Sequence, residues 1–319
     1  MRLLTLGLGY LLDLLLGDPY NFPHPVRFIG QLIQQVETFI RKHATSSQAL
    51  QIGGGFLWLV VVGLSYGVTY GILSLCRIHP FLYGLVSTYL IYTTLATKCL
   101  GEEGTKIYKV LKEEGLEAAR VQLSYIVGRD TTQLTEEEVI KATVETVAEN
   151  TVDGVIAPLF YAFIGGAPLA MAYKAINTLD SMVGYPNEKY KDIGRVSAKI
   201  DDVANFLPAR LSAFIMSLGI QIMGLNGKKA LLIALRDRKN HKSPNCAYAE
   251  GAVAGALGIQ LGGTHTYFGE KVYKPTIGDA LREVEKEDIL RTNHILYSTS
   301  LLGWLLFSSV YGLVYLLMR

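Results

Sequence analysis

Long uncharged apolar runs alternate along the chain with short polar blocks. The clearest run, 53–75, is about 23 residues without a charge, and a transmembrane helix needs about 20. A second run, 81–97, is rich in Leu, Tyr and Thr, and the short link Cys76-Arg77-Ile78-His79-Pro80 makes the two a helical hairpin. A third, 295–318, is also uncharged and carries Trp304 and several Tyr. Such runs predict three membrane spans, because few other environments suit them. At the N-terminus, Leu3 to Leu16 is interrupted by Asp13 and ends in Gly17-Asp18-Pro19 with no small-x-small site. That predicts a retained first helix rather than a signal peptide.

Three further apolar stretches are broken by polar or helix-disrupting residues. They are 155–173 with Pro158, Gly165, Gly166 and Pro168, 207–225 with Arg210 and Gln221, and 247–263 with Glu250 and many Gly and Ala. Each reads as a span, a re-entrant segment or a helix buried against protein. The region 98–150 reads as a polar helical insertion. In it, Thr135-Glu136-Glu137-Glu138 marks a capped helix start with Thr135 as N-cap. No internal repeat and no strand-period pattern stands out. The expectation is an all-α polytopic integral membrane protein, one membrane-embedded domain over 1–319, with transmembrane helices, re-entrant or buried helices, and cytoplasmic helical loops.

Composition agrees. Only 18% of residues are charged, against about 25% in soluble domains, the deficit a lipid-facing surface produces. A net charge of +2 with no long basic run gives no nucleic-acid footprint. Cys76, Cys99 and Cys246 are odd in number and lack CxxC spacing, so they indicate neither a zinc site nor a disulfide framework. They read as ordinary buried thiols.

Basic residues orient the chain. The hairpin link has Arg77, whereas 98–150 has Lys98, Lys106, Lys109, Lys112, Arg120, Arg129 and Lys141. Positive loops stay cytoplasmic, so the hairpin tip is expected outside a plasma or inner membrane, with 18–52 and 98–150 inside. The later loops 174–195, 228–242 and 271–291 are basic too. The apolar stretches between them then favour pairs of short or re-entrant helices, the alternative being a crossing against the charge bias.

Polar chemistry concentrates in four blocks. The first is Asp13, Asp18, Pro19, His24, Pro25 and Arg27. The second runs from Glu145 to Gly154, and the third combines Asn177 to Pro186 with Arg195 and Asp201 to Asn205. The fourth is Ser243-Pro244-Asn245 with Glu250-Gly251. On a helix, Glu145, Glu149 and Asp153 share one face and repel unless a positive group sits among them. Magnesium with a phosphate is a natural candidate; a solvated acidic face is the plain alternative. Asp201, Asp202 and Asn205, and likewise Asn177 and Asp180, also share faces, and they lie beside apolar stretches where a carboxylate needs a partner. His24 has no second His nearby, which disfavours metal ligation, while Arg27 suits a phosphate or carboxylate. Ser243 lacks a readable His–Asp context for a nucleophile, and His241 reads as incidental. Neither GxxxxGK[ST] nor a strand followed by GxGxxG occurs, so any nucleotide needs an unfamiliar site.

Several strings carry a resemblance. Leu12-Asp13-Leu14-Leu15-Leu16-Gly17-Asp18-Pro19 followed by His24-Pro25-Val26 resembles the N-terminal signature of the adenosylcobinamide-phosphate synthase family, the aminopropanol-attachment proteins of cobalamin biosynthesis. Ala148 to Gly154, Lys174 to Tyr185, Asp201 to Asn205 with Pro208 and Arg210, Ser243-Pro244-Asn245 and Glu250-Gly251-Ala252 are similar too, in order, from Asp13 to about Gly278. The resemblance implies an ATP- and magnesium-dependent amide ligase. It would join adenosylcobyric acid, a corrinoid, to aminopropanol phosphate or a related amino alcohol. Phosphorylation of the carboxylate would give an acyl phosphate for the amine to attack, with cations offsetting the phosphoryl charge.

On that reading Glu149, Asp180, Asp201 and Asp202 are the candidate catalytic residues, and Glu149, Asp153, Asp180 and Asp201 the candidate magnesium ligands. Asp18, His24, Arg27, Glu145, Asn150, Lys174, Asn177, Arg195, Asn205, Arg210, Ser243, Asn245 and Glu250 are candidate substrate contacts. The cationic ones suit phosphate or the corrin carboxylate, the asparagines its amides. Membrane lipid is the expected surroundings; a homo-oligomer or association with other cobalamin-biosynthesis membrane enzymes fits as well. Two rival classes stay open: a polyprenyl-type membrane transferase holding magnesium–diphosphate, which Asp201-Asp202 invites, and a transporter whose broken helices line a midplane site.

Overall fold

A computed structural model describes residues 1–19, 23–267 and 270–318, and only the backbone of 264–267 and 270–272. The chain forms α1 (Arg2–Leu16), α2 (Pro25–His43), α3 (Ser47–Cys76), α4 (Pro80–Tyr92), α5 (Thr97–Glu113), α6 (Leu116–Ser124) and α7 (Glu136–Thr151). A π-helical turn (Val152–Ile156) leads into α8 (Ala157–Val183), followed by α9 (Arg195–Ala204), α10 (Phe206–Ile222), α11 (Gly227–Arg236) and α12 (Cys246–Leu257). Strands β1 (Leu261–Tyr267) and β2 (Glu270–Ile277) precede α13 (Glu287–Leu317). The fold is that of an all-α polytopic membrane protein.

Among the described residues three helical stretches are long and apolar enough to cross a membrane: α3, Glu136–Val183, and α13. The expected spans 53–75 and 295–318 fall in α3 and α13. Leu59, Val68 and Leu75 on α3 and Leu313, Leu316 and Leu317 on α13 are exposed, a surface that hydrocarbon solvates and water does not. The pair α9 and α10 qualifies only as one broken span; the break lies at Asn205, and the ambiguous stretch 207–225 is a single helix as far as Ile222.

The expected span 81–97 is different. Its helix, α4, stops at Tyr92 after 13 residues, about 20 Å at 1.5 Å per residue against a hydrocarbon core of about 30 Å. The Thr93 and Thr94 hydroxyls turn back onto Leu90 O and Ile91 O at 3.0 and 2.7 Å, and Thr94 N bonds Ile91 O. These three-residue steps tighten the chain out of the α-helix.

The stretch 247–263 is a buried helix. Nearly all of α12 is inaccessible, and its glycines admit α11 closely. A Cβ at Gly251 would stand 2.8 Å from Ala234 Cα, and one at Gly255 3.0 Å from Ala230 Cα. Small residues spaced four apart allow this backbone approach. The antiparallel hairpin β1–β2 was not foreseen. It pairs Leu261 with Ile277 and slips register before Gly263. Gly262 and Gly263, at φ 71° and 102°, build that irregularity, and together with Pro275 they disguise the strands as loop.

Packing resolves the chain into two compact units. Unit 1 is Met1–Ala96, Ala157–Asn205 and Phe307–Arg319; unit 2 is Thr97–Ile156 and Phe206–Leu306. In unit 1, α3 packs on α8, α1 on α4, and α8 on α2 and α9. In unit 2, α12 packs on α7, α10 and α11, around a core that includes Ile107, Leu123, Val144, Met216 and Val253. The predicted cap is present: Thr135 Oγ1 accepts from Glu138 N–H while the Glu138 carboxylate accepts from Thr135 N–H.

Candidate functional site

The four polar blocks sort by unit. The first and third belong to unit 1, the second and fourth to unit 2.

In unit 1 the third block brings α8 and α9 together. Asp201 is 8% exposed. Its Oδ2 accepts from Asn205 Nδ2 at 3.0 Å, and the Asn177 side chain bonds the same carboxylate. Asn205 in turn accepts the Tyr173 hydroxyl at 2.8 Å, and Tyr161, stacked on Tyr173 with centroids 5.0 Å apart, donates to Ala204 O. The two phenols therefore fix the C-terminal end of α9. Asp180 and Asp202 lie close enough to act on Asp201 electrostatically, so three carboxylates share one amide-rich locality. Asp180 is also why residue 184 is glycine, since a Cβ there would run into the Asp180 carboxylate. Lys174 lies one turn and a half before Asp180 on α8, half-buried, whereas Arg195 is exposed at the start of α9.

The first block lies in the same unit. His24 Nε2 is 3.3 Å from Asp18 Oδ1, and the Tyr92 hydroxyl donates to Gly17 O at 2.5 Å, pinning the turn that carries Asp18. Arg27 is exposed in the first turn of α2. Further along α2, Gly30 faces Met182, with 3.6 Å from its would-be Cβ to Sδ. This contact brings α2 against the Asp180 end of α8.

In unit 2, α7 presents Glu145 and Glu149 toward α12. The buried Glu145 is compensated: Arg129 Nη2 lies 2.7 Å from Oε2, Gly262 N–H donates to Oε1 at 2.9 Å, and Lys274 adds a second cation within electrostatic reach. Glu149 accepts the Cys246 thiol at 2.9 Å. Burial, then the Glu149 charge, pushes that thiol well up; it stays protonated and is no nucleophile. Burial, then Glu145 and Glu149, likewise raises Glu250 well above the ordinary carboxylate range, favouring its protonated form. Burial lowers His241, against the pull of Glu149, and Ser243 N–H donates to its Nδ1 at 3.1 Å. The site thus places one ion-paired carboxylate, one thiol-bonded carboxylate, and an acid and an imidazole whose burial favours their uncharged forms side by side.

Asn245 is buried just before α12 and accepts from Arg210 Nη1 at 3.4 Å. The Arg210 guanidinium is held between the Phe206 and Tyr248 rings, 3.3 and 4.9 Å from their centroids. Asn150 donates back to Thr146 O on its own helix. Asp153 falls in the π-helical turn, where the wider winding shifts it off the strict four-residue face, yet it still acts on Cys246.

Sequence reasoning did not single out Arg129, Lys274, Cys246 or His241 for this site. Arg129 and Lys274 come from a loop and from an unforeseen strand, and no local pattern ties either to Glu145. His241 had one signal, two residues before Ser243 in the fourth block. Among the described residues no three His, Cys, Asp or Glu side chains converge as a metal cage requires.

A family model described as CobD/Cbib protein matches residues 6–296. The cobalamin biosynthesis protein CobD of Listeria monocytogenes serovar 1/2a is 54% identical over 316 residues, covering 99% of this chain and all of that protein. The cobalamin biosynthesis protein CbiB of Salmonella arizonae is 53% identical over 308 residues, 96% of this chain and 97% of the relative. That of Salmonella typhimurium is 53% identical over 304 residues, 95% of each. No solved structure matches the chain.

Proposed function

Because the chain belongs to the CobD/CbiB family, we propose that it is the ligase that joins a carboxylate of adenosylcobyric acid to aminopropanol phosphate or a related amino alcohol, using ATP and magnesium. A role in cobalamin biosynthesis is what the relatives' names carry. The observation that best supports the chemistry is the Asp180–Asp201–Asp202 locality with Asn177 and Asn205 bonded to it.

The donor sets suit magnesium, which takes one or two protein carboxylates and leaves its other positions to water and phosphate. Asp180 with Asp201, or Glu149 with Asp153, would hold it, and the lack of a three-ligand cage is compatible with that habit. ATP, when bound, would supply the phosphoryl group that makes the carboxylate a competent electrophile. The chain's own residues do the rest. In unit 1 the exposed Arg27 and Arg195, and in unit 2 Arg210, kept rigid between two rings, are each suited to an anionic group of a substrate; a guanidinium fork matches phosphate and carboxylate. Asp202, beside Asp201 in unit 1, would attract the ammonium of the amino alcohol. Asn205 and Asn245, buried and already hydrogen-bonded, are too constrained to adapt to many corrin amides. They preorganise Asp201 and Arg210 instead. The polar blocks are assigned to the cytoplasmic face of the cell membrane, where the basic loops point.

The test is reconstitution of the purified protein with adenosylcobyric acid, the amino alcohol phosphate, ATP and magnesium. The amide product by mass, absent when any one component is omitted, is expected. Product without nucleotide would remove the ligase reading. Turnover of a polyprenyl diphosphate, or transport of corrinoid without product, would replace it.

A further inference from the structure

Within unit 1, a cavity of about 410 Å³ lies where the C-terminal end of α3 meets α1, α4 and α8. Its wall carries two guanidinium groups, Arg2 and Arg77, and three phenols, Tyr66, Tyr70 and Tyr83. No Asp or Glu lines it among the described residues. Arg2 Nε is shielded from solvent and has no hydrogen-bond partner among the described residues, and its guanidinium rests 5.6 Å from the centroid of the Tyr311 ring. No lining carboxylate among the described residues offsets the two guanidinium charges, so the cavity is positive.

The same wall is where α8 breaks. Gly166, at φ 70° and ψ −162°, has a conformation open almost only to glycine, and a second half-helix of α8 begins beyond it. A helix start leaves N–H groups without intrahelical partners and carries the positive end of the peptide dipoles. A Cβ at Gly166 would lie 3.8 Å from Arg2 Nη2, so a guanidinium sits at the break itself. Two arginines and a half-helix start converging on an acid-free cavity select an anion, and guanidinium forks select oxygens arranged as in phosphate.

We propose that this cavity binds the phosphate of an anionic phospholipid. A lipid fits better than a free anion because the α3–α4 turn that carries Arg77 is apolar and exposed: Leu75 is 75%, Ile78 87% and Phe81 73% accessible. Acyl chains can lie on that surface while the headgroup enters the cavity. Tyrosines at a span's end are the side chains that settle at headgroup depth. The site is separate from the carboxylate clusters and independent of the reaction proposed for them.

Purified full-length protein is titrated in detergent with short-chain phosphatidylglycerol, with phosphatidylcholine of the same chains, and with inorganic phosphate. Native mass spectrometry reads occupancy, and thermal unfolding reads stabilisation. Phosphatidylglycerol is expected to bind and raise the melting temperature, and phosphatidylcholine to do neither. Arg2→Gln and Arg77→Gln should each weaken phosphatidylglycerol about tenfold or more, the loss of one charged hydrogen-bonded contact. Arg77→Lys should retain most of the binding, and Lys109→Gln, elsewhere, all of it. Arg77 is solvent-exposed, so its variants are expected to melt like the native protein without lipid. Equal retention of the two lipids, or native affinity in both glutamine variants, would overturn the proposal. Saturation by inorganic phosphate without a preference for phosphatidylglycerol would also overturn it, assigning the cavity to a soluble phosphate.

Discussion

Glu250→Gln is expected to make the protein more stable than the native chain at neutral pH, by an amount that grows with pH. Glu250 lies in α12, outside the three candidate spans, and is 5% exposed. Burial, reinforced by the Glu145 and Glu149 charges, raises its pKa well above the ordinary carboxylate range. The folded protein therefore keeps a proton that the unfolded chain releases above about pH 4.3. A pKa raised by folding gives stability that is whole below the unfolded value and is lost as pH climbs toward the folded one. The loss is about 1.4 kcal/mol per pH unit for one proton. At about 2–4 °C per kcal/mol for a domain of 150–250 residues, that is roughly 3–6 °C per pH unit. Glutamine keeps the shape of the neutral acid and has no such dependence. Thermal unfolding of both proteins in detergent at pH 5, 6 and 7 gives the difference directly, since the other titrating groups largely cancel between them. The gap should widen by about that amount per unit. Parallel curves would refute the argument, and a variant less stable at every pH would mean that Glu250 is ionised and paired in the fold.

Arg129→Ala should cost about 3–5 kcal/mol, because it strands the buried Glu145 carboxylate; Arg129→Ala with Glu145→Ala should recover part of that loss, as read by melting temperature. Asp180→Asn and Asp201→Asn should abolish turnover without lowering expression; if either ligates magnesium, raising the metal concentration partly restores the rate by mass action, and native rates in both would remove them from the reaction. Gly184→Ala should lower turnover by at least tenfold, because its Cβ displaces the Asp180 carboxylate and small misplacements cost large factors; a native rate would show that Asp180 is free to move.

The long spans were legible because an uncharged run of more than 20 residues has one cheap environment. α3 and α13 match the predicted runs at their C-terminal ends, and each starts six to eight residues earlier, in a polar first turn that hydropathy does not mark. α4 was not legible: its run is apolar enough, but the turn at Thr93 and Thr94 depends on hydroxyl-to-backbone bonds that hydropathy does not register. α12 was ambiguous because a buried helix and a span look alike in composition, and only its small residues against α11 distinguish them. Within the site, sequence spacing found the carboxylates and asparagines, since neighbours on a helix face can be counted. It could not pair the second block with the fourth, because they meet through tertiary packing alone. It asked for a positive group among the carboxylates of α7 but could not name one, and the fold supplies Arg129 and Lys274 at Glu145.

The central claim is that the corrinoid carboxylate is activated by phosphoryl transfer from ATP before the amine attacks. The most direct measurement labels both oxygens of that carboxylate with oxygen-18, runs the reaction with purified protein and analyses the released phosphate by mass. One labelled oxygen per phosphate is predicted, because the carbon–oxygen bond broken by the amine leaves its oxygen on phosphorus. Amide formed with unlabelled phosphate, or with the label in AMP, would contradict the account.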